Sequence, residues 1–198
     1  QYSKYPSGLL DSSCALRFNS SYNNSNKRRK ISNILVVLEG IPEVHKLVNY
    51  ILNFSLNKNF NIIIRTHPVL PWKVIKNLLN LSYTSDKIII SENKSLHHDF
   101  KKSDICIYWG SAVCLDAIKY GLPVVHFDEG NYLSYDPLFE LTQFKWIINN
   151  INDLEIIIKK INNLKDSEFE NKRKNAQDYV DRYLHSINQE DINKFLIK

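Results

Sequence analysis

The sequence predicts an α/β fold, in which helices cover both faces of a parallel sheet. Three observations support this class. Short, wholly apolar segments recur along the chain, amphipathic segments with a helical period separate them, and Gly or Pro stands at many of the boundaries. Strands without a polar face are typical of buried parallel sheets. Alternation of strands with helices is typical of the crossover connections that join parallel strands.

The order of the segments predicts a Rossmann-like, doubly wound domain with extensions at both ends. Residues 1–32 are rich in Ser and Asn without a sustained period, so we expect a linker or N-terminal extension there. The Rossmann-like domain is predicted over 33–165, and polar, amphipathic helices are predicted over 166–198. Apolar runs predict strands at 33–40, 60–65, 86–91, 104–110 and 122–127, and a further short apolar piece spans 144–148.

Helices are predicted between these strands from apolar residues that recur at helical spacing. Pro42 and Pro71 open two of the helices, and Gly121 ends another at its C′ position. Ser95 is a candidate cap for a short helix that contains His97, His98 and Asp99. The predicted helices span 42–57, 71–82, 95–103, 111–121 and 151–164.

The composition restricts the class of protein. The chain of 198 residues is 43% hydrophobic and 24% charged, which is typical of one globular domain. No apolar run approaches the length of a membrane span, and the polar start lacks the apolar core of a signal peptide. Three cysteines without a C-x-x-C pair do not make a disulfide framework, so we expect a cytoplasmic location. The chain starts at Gln1 and contains no Met, so we expect a fragment or an excised domain.

The net charge of +5 makes anionic partners plausible, including nucleic acid, phosphorylated substrates and membrane surfaces. The basic residues are scattered, however, and no basic stripe with interleaved aromatic residues occurs. The sequence therefore predicts no specific nucleic-acid partner.

Polar residues concentrate where the predicted strands end. Ligands of open parallel sheets bind at the carboxyl ends of the strands, so this edge is the predicted site. The residues that follow the five strands are, in order, Glu39-Gly40, Arg65-Thr66-His67-Pro68, Ser91-Glu92, Trp109-Gly110-Ser111-Ala112 and His126-Phe127-Asp128-Glu129-Gly130-Asn131.

The segment RTHP raises two alternatives for each of its nitrogen-rich side chains. His67 either contacts a ligand phosphate or is satisfied inside the protein. Arg65 either binds a phosphate or pairs with a carboxylate such as Glu39 on the neighbouring strand. Pro68 fixes the turn that presents His67. Because Arg65 lies nearer the buried strand, we expect it to be the more structural of the two.

The segment YWGSAVCLD is the second candidate. Gly110 permits a sharp turn, and Ser111 is predicted to open a helix whose free N–H groups and dipole bind an anion. Asp116 would then accept hydrogen bonds from the hydroxyls of a ribose. The alternative is that Ser111 is only an N-cap and that Asp116 is a solvated helix residue.

Other histidines carry weaker signals. Adjacent helical residues face different directions, so His97 and His98 do not form a metal site, and we expect His98 or Asp99 at the surface. His126 closes a buried strand, where a core role and a functional role are both open. No G-x-G-x-x-G, Walker loop, G-x-S-x-G or H-E-x-x-H motif occurs. Gly40 by itself is a weak phosphate-loop signal.

Taken together, the motifs resemble those of a known class of transferase. LVVLEG, IIIRTHP, SDICIYWGSAVCLDAIKYGLPVVHF and DEGN, in this order, are similar to the C-terminal half of GT-B glycosyltransferases. The similarity covers roughly 31–165, and it extends to bacterial surface-carbohydrate and capsular polysaccharide biosynthesis proteins. These include CDP-glycerol-type polyol-phosphate transferases, Kdo and polysialic acid transferases and, more distantly, UDP-GlcNAc 2-epimerases.

The resemblance implies a site for a nucleotide-activated sugar. It implies that His67 contacts the donor phosphate, with Arg65 as a second cationic group, and that Gly40 faces the phosphate or the transferred sugar. Asp116 stands where such enzymes often have a glutamate, and its shorter side chain would bind ribose. Three further residues would hold phosphate at the helix tip, and three would line the sugar side: Gly110, Ser111 and Ala112, and Glu129, Gly130 and Asn131.

The resemblance also implies partners. A GT-B enzyme needs an N-terminal Rossmann-like half, which this chain lacks, so we expect the chain alone to bind nucleotide weakly and to catalyse nothing. Protein groups supply the positive charge, so no metal or other cofactor is expected. Peripheral association with the inner face of the membrane fits this class. Two alternatives remain: polyol-phosphate transfer or epimerisation on the same architecture, and a non-catalytic Rossmann-like interaction module.

Overall fold

The computed structural model describes residues 28–56, 58–79, 86–91, 95–130, 136–149, 153–184 and 187–196. Within these ranges, six strands form one sheet in the order β3-β2-β1-β4-β5-β6, and every neighbouring pair is parallel. The strands are β1 (Asn33–Val37), β2 (Asn61–Arg65), β3 (Ile88–Ile90), β4 (Ile105–Tyr108), β5 (Val124–Phe127) and β6 (Lys145–Ile148). The predicted α/β, Rossmann-like class is confirmed.

Helices flank this sheet. In the described ranges they are a 3₁₀ turn (Pro42–Val44), α1 (His45–Ser55), α2 (Trp72–Lys76), α3 (Leu96–Lys102), α4 (Val113–Tyr120), α5 (Asp153–Asn162), α6 (Asp166–Tyr183) and α7 (Gln189–Leu196). None of these helices is long and apolar enough to cross a membrane.

The central strands are buried on both faces. Ile34, Leu35 and Val36 of β1 are all 0% exposed, although successive side chains of a strand point to opposite faces. The sheet therefore lies inside the protein, as its unbroken apolar runs predicted. The edge strands differ: Ile89 of β3 is 56% exposed and Ile147 of β6 is 50% exposed.

Two elements differ from the sequence-based expectation. The apolar piece at 144–148 is a sixth strand, β6, which pairs in parallel with β5. The segment is too short for its apolar pattern to distinguish a strand from a loop. The helix predicted over 71–82 ends at Lys76, because only Ile75 of α2 is buried and Val74 and Leu78 are exposed. Little apolar packing is thus available to extend α2.

The first described residue and helix α6 both pack on the domain. Arg28 donates hydrogen bonds to the carbonyls of Ile161, Asn162 and Leu164 at the end of α5. Helix α6 lies on α4: Gln177 donates to the Lys119 carbonyl, and Gly121 ends α4 with a left-handed φ of 91°. The C′ role predicted for Gly121 is confirmed.

A buried polar network holds β4, β6 and the segment between β5 and β6. Asp136 accepts hydrogen bonds from the Tyr108 hydroxyl at 2.6 Å, the Lys145 ammonium at 2.7 Å and the Leu138 N–H at 2.9 Å. The side chains of Lys145 and Asp136 are only 6% and 5% exposed. Burial by itself would raise the pKa of Asp136, but these three hydrogen bonds outweigh it, and the pKa lies below its ordinary value.

Replacing Lys145 with Met should destabilise the fold by about 3–5 kcal/mol, because Asp136 would remain buried without its ammonium partner. The control is Lys119→Met, which breaks the Lys119–Asp181 pair, whose side chains are 25% and 49% exposed. That change should cost less than about 1 kcal/mol in urea unfolding. Equal losses would contradict the role of the buried network.

The pH dependence should also change sign in the Lys145→Met protein. In the wild type, the contribution of ionised Asp136 is present above about pH 4 and is lost as the pH falls through its lowered pKa. Without Lys145, burial should raise that pKa instead, so the contribution of Asp136 to stability should increase as the pH falls. Urea unfolding at several pH values between about 3 and 7 measures both slopes.

Candidate functional site

The candidate site lies where the strand order reverses, between β1 and β4. Loops that leave two such strands diverge to opposite faces of the sheet, and the crevice between them is the usual ligand site. Glu39 follows β1, and Gly110 follows β4. The Gly110 N–H donates a hydrogen bond to Oε1 of Glu39 across this crevice, and the Ser111 N–H bonds the same carboxylate.

A cleft of about 470 Å³ opens beside this contact. Lys46 is the one cation among its lining residues, and its ammonium lies 2.9 Å from Oε2 of Glu129 and 6.0 Å from the centre of the Trp109 ring. The cleft is thus rich in carboxylates, and its cation is already paired. The lining residues are Glu39, Ile41, Glu43, Lys46, Trp109, Gly110 and Glu129.

His67 stands at this edge with a defined orientation. The Val69 N–H donates to Nδ1 of His67 at 3.2 Å, so in the neutral ring the proton is on Nε2. The His67 side chain is exposed, and Nε2–H is therefore available as a donor to a ligand. A Cβ atom at Gly40 would lie 2.8 Å from Nδ1, which shows that the absence of a side chain at Gly40 leaves room for the imidazole. The two predicted residues are thus in direct contact.

Arg65 is engaged inside the protein. Its guanidinium lies 2.6 Å from Oδ2 of Asp99, and the Ser91 hydroxyl donates to the same oxygen at 2.7 Å. Asp99 is 0% exposed, whereas His98 is exposed, so of the two residues named as surface candidates only His98 lies at the surface. Its position three residues after Leu96 and one before buried Phe100 places it on the core side of α3. An internal carboxylate partner for Arg65 was one alternative, but the partner is Asp99 and not Glu39.

Helix α4 begins two residues later than predicted. Ala112 occupies the N-cap position and Val113 is the first helical residue, so Ser111 precedes the helix. Ser111 is only 8% exposed, and its Oγ lies 3.5 Å from the Val113 nitrogen, so no side chain caps α4 closely. The loop 110–112 that leads into α4, which we call the α4 tip, is instead bonded to the carboxylate of Glu39 through the Gly110 and Ser111 N–H groups.

The remaining predicted residues are divided between the cleft and its surroundings. Asp116 is 8% exposed, so it is not the solvated helix residue of the alternative interpretation; its ribose role stays a prediction. Glu129 lines the cleft. Gly130 has φ 73° and donates its N–H to Asp128 at 2.8 Å, which forms a tight turn after β5. Asn131 lies outside the described residues.

The carboxyl group of Glu39 is electrostatically unusual. Burial raises its pKa above the ordinary value, against the opposing effect of the backbone N–H groups that it accepts. The carboxylate form is therefore held in the crevice at some energetic cost.

Two other histidine predictions can be assessed. His126 is 5% exposed, burial lowers its pKa, and its Nε2 has no hydrogen-bond partner among the described residues. Its core role is the one that the structure supports. His97 packs edge-on against Tyr120 with ring centres 5.2 Å apart. In the part of the chain that is described, no group of three or more His, Cys, Asp or Glu side chains is arranged to hold a metal ion.

The sequence did not reveal that residues in the first turns after β1 line the cleft. Lys46 and Glu43 carried no signal, because a charged residue in a first helical turn is usually solvated. Trp109 was noted only as a strand end, although an aromatic residue just before Gly110 was the available signal. Its ring contacts Phe127 edge-on with centres 5.7 Å apart, and this contact fixes one wall of the cleft.

The fold matches solved structures of glycosyltransferases. TarM matches with a TM-score of 0.59 at 14% identity, covering 89% of this chain and 36% of that chain. CalG4, the calicheamicin glycosyltransferase, matches with 0.55 at 12% identity, covering 77% and 38%. A variant of the wall teichoic acid polymerase TagF, soaked with CDPG, matches with 0.50 at 21% identity, covering 86% and 42%. No protein-family model and no curated protein matches the sequence.

At these identities the likeness shows the fold alone. The chain has the Rossmann-like fold of one half of a GT-B glycosyltransferase, and the resemblance noted in the sequence is confirmed at that level. The chain spans about two fifths of the length of these structures. The nucleotide, the acceptor and a role in surface polysaccharides stay predictions.

Alanine substitutions should separate the two residues of the RTHP segment. Arg65→Ala should cost about 2–4 kcal/mol of unfolding free energy, because buried Asp99 would lose its cation. His67→Ala should cost less than about 1 kcal/mol, because the exposed imidazole has one local hydrogen bond. Equal destabilisation in urea or thermal unfolding would contradict the assignment of Arg65 as internal and His67 as free for a ligand.

Proposed function

We propose that this chain is the half of a GT-B-type glycosyltransferase that binds the nucleotide-activated sugar. The observation that carries the proposal is the convergence at one crevice. The His67 ring lies against Gly40 in the loop after β1, and the Gly110 and Ser111 N–H groups bond Glu39 in the same loop. These groups therefore lie at the carboxyl edge of the sheet, beside the switch point between β1 and β4. These donors are neutral or positively charged, as a phosphate ligand requires. The proposed transfer needs no covalent nucleophile from the protein.

The proposed chemistry is displacement at the anomeric carbon of the donor. An acceptor hydroxyl forms the new C–O bond while the bond to the donor phosphate oxygen breaks and leaves its electron pair on the nucleotide. Hydrogen-bond donors directed at that oxygen would stabilise its developing charge. His67 and the α4 tip would act on the phosphate, while Glu129 and Lys46 would contact the sugar or its phosphate. Arg65 would act by holding its loop through Asp99.

The complete reaction belongs to a larger assembly in this proposal. The structures that the chain resembles are more than twice its length, so the acceptor site and the general base are assigned to a second Rossmann-like half. The order of the RTHP and GS motifs supports an assignment to bacterial surface-polysaccharide synthesis at the inner face of the membrane. Polyol-phosphate transfer from a CDP-linked donor is the alternative on the same architecture.

A nucleotide panel tests the proposal. Thermal unfolding with CMP, CDP, UDP, GDP and dTDP at about 1–5 mM should show a rise in melting temperature for at least one of them, because a ligand that binds only the folded state stabilises it. Selective stabilisation by CDP or CMP would favour polyol-phosphate, sialyl or Kdo chemistry. No shift with any nucleotide would contradict nucleotide binding and favour a non-catalytic interaction module.

His67→Ala should weaken binding of the stabilising nucleotide by about tenfold or more, as expected for loss of one hydrogen bond to a charged group. Gly40→Ala should have a similar effect, because its new methyl group would displace the imidazole from its position 2.8 Å away. The matched control is His98→Ala, which removes an exposed histidine of α3. Isothermal titration measures all three, and equal affinity in His67→Ala and His98→Ala would contradict the role of His67.

A further inference from the structure

The N–H groups of the candidate phosphate site already hold an anion that belongs to the chain. The carboxylate of Glu39 accepts the Gly110 N–H and the Ser111 N–H at the tip of α4. Lys46, the cation of the same cleft, is held by Glu129 at 2.9 Å. The N–H groups of the α4 tip and the Lys46 ammonium are therefore both paired with carboxylates of the chain itself.

The place of this contact gives it a functional meaning. Glu39 and Gly110 belong to the loops of β1 and β4, the two strands between which the order of the sheet reverses. A carboxylate in that position excludes a phosphate from the same N–H groups, because both anions need the same donors and repel each other. The contact also provides an acceptor for the Gly110 and Ser111 N–H groups, which lie in the loop before α4.

We infer that Glu39 is an internal competitor of the donor phosphate, which binds the α4 tip only when the Glu39 side chain leaves it or is protonated. This inference rests on the proposed function and adds a specificity-determining residue to it. Phosphate binding at this site is then linked to proton uptake by Glu39. Ligands that carry more phosphate charge compete better for the donors.

The sign of the linkage follows from the groups around Glu39. Glu43 and Glu129 add negative charge to the cleft, Lys46 opposes it, and the His67 ring lies against Gly40, the residue after Glu39. Burial raises the pKa of Glu39, so the carboxylate gains its proton earlier than an exposed glutamate as the pH falls. Affinity for phosphate ligands should therefore rise as the pH falls. Histidine side chains and the phosphate groups of the ligand also gain protons as the pH falls. A variant of Glu39 is therefore needed to isolate the contribution of Glu39 to the pH dependence of binding.

The test compares the full chain with Glu39→Gln and Glu43→Gln, with inorganic pyrophosphate and CDP as probes in isothermal titration between pH 5.5 and 8. Gln keeps an acceptor for the Gly110 N–H but removes the charge. At pH 8, Glu39→Gln should bind pyrophosphate about tenfold more tightly than the wild type, and the difference should shrink toward pH 5.5. Glu43→Gln removes the same charge from the same cleft without touching the α4 tip, so the wild-type pH dependence should persist in it.

A second measurement needs no ligand. The Gly110 amide resonance should shift with pH in the wild type and lose that transition in Glu39→Gln. Equal or weaker binding by Glu39→Gln at pH 8, or a Gly110 resonance without a Glu39-dependent transition, would overturn the inference. If the Gly110 transition is present but no variant binds pyrophosphate or a nucleotide, the proposed function itself is overturned and the competitor role with it.

Discussion

Strand β1 pairs in parallel with β2 on one side and with β4 on the other, and this pairing decides what the candidate site contains. It brings Glu39, Arg65 and Gly110, which are far apart in sequence, to one edge of the sheet. It also requires that β1 be apolar from Ile34 to Val37, since both of its faces are covered there. Polar chemistry is therefore placed outside the strand, and the His67, Gly110 and Ser111 donors lie within a few residues of a strand end.

Charge neutralisation within the chain is the second feature of that edge. Arg65 is paired with buried Asp99, Lys46 with Glu129, and the N–H groups at the α4 tip with Glu39. The Nε2–H of His67 differs from these groups because it is exposed. The Val69 N–H, which donates to Nδ1, fixes the orientation of the ring. A chain with a net charge of +5 thus presents a candidate anion site whose cleft is lined mainly by carboxylates. The position of a basic group in sequence does not reveal whether a carboxylate already holds it.

The sequence predicted the fold well, because buried parallel strands leave an unmistakable pattern of apolar runs bounded by Gly and Pro. It also predicted that His67, Gly40 and Gly110 follow strands that end at one edge of the sheet, since that follows from parallel strands alone. It could not predict partners that depend on side-chain direction. Asp99 was named as a surface candidate because a single carboxylate in a short helix carries no sign of its buried arginine. The Glu39 contact with the α4 tip needed the distance between two loops, which no local pattern encodes.

The most direct measurement of the account is a titration of the isotope-labelled chain with the best-binding nucleotide, followed by amide and imidazole chemical shifts. The account predicts that the largest changes fall on Gly110, Ser111 and the His67 side chain, with smaller changes at Gly40 and Glu129. Changes centred on another surface, with these five positions unaffected at saturation, would contradict the assignment of the crevice between β1 and β4 as the nucleotide site.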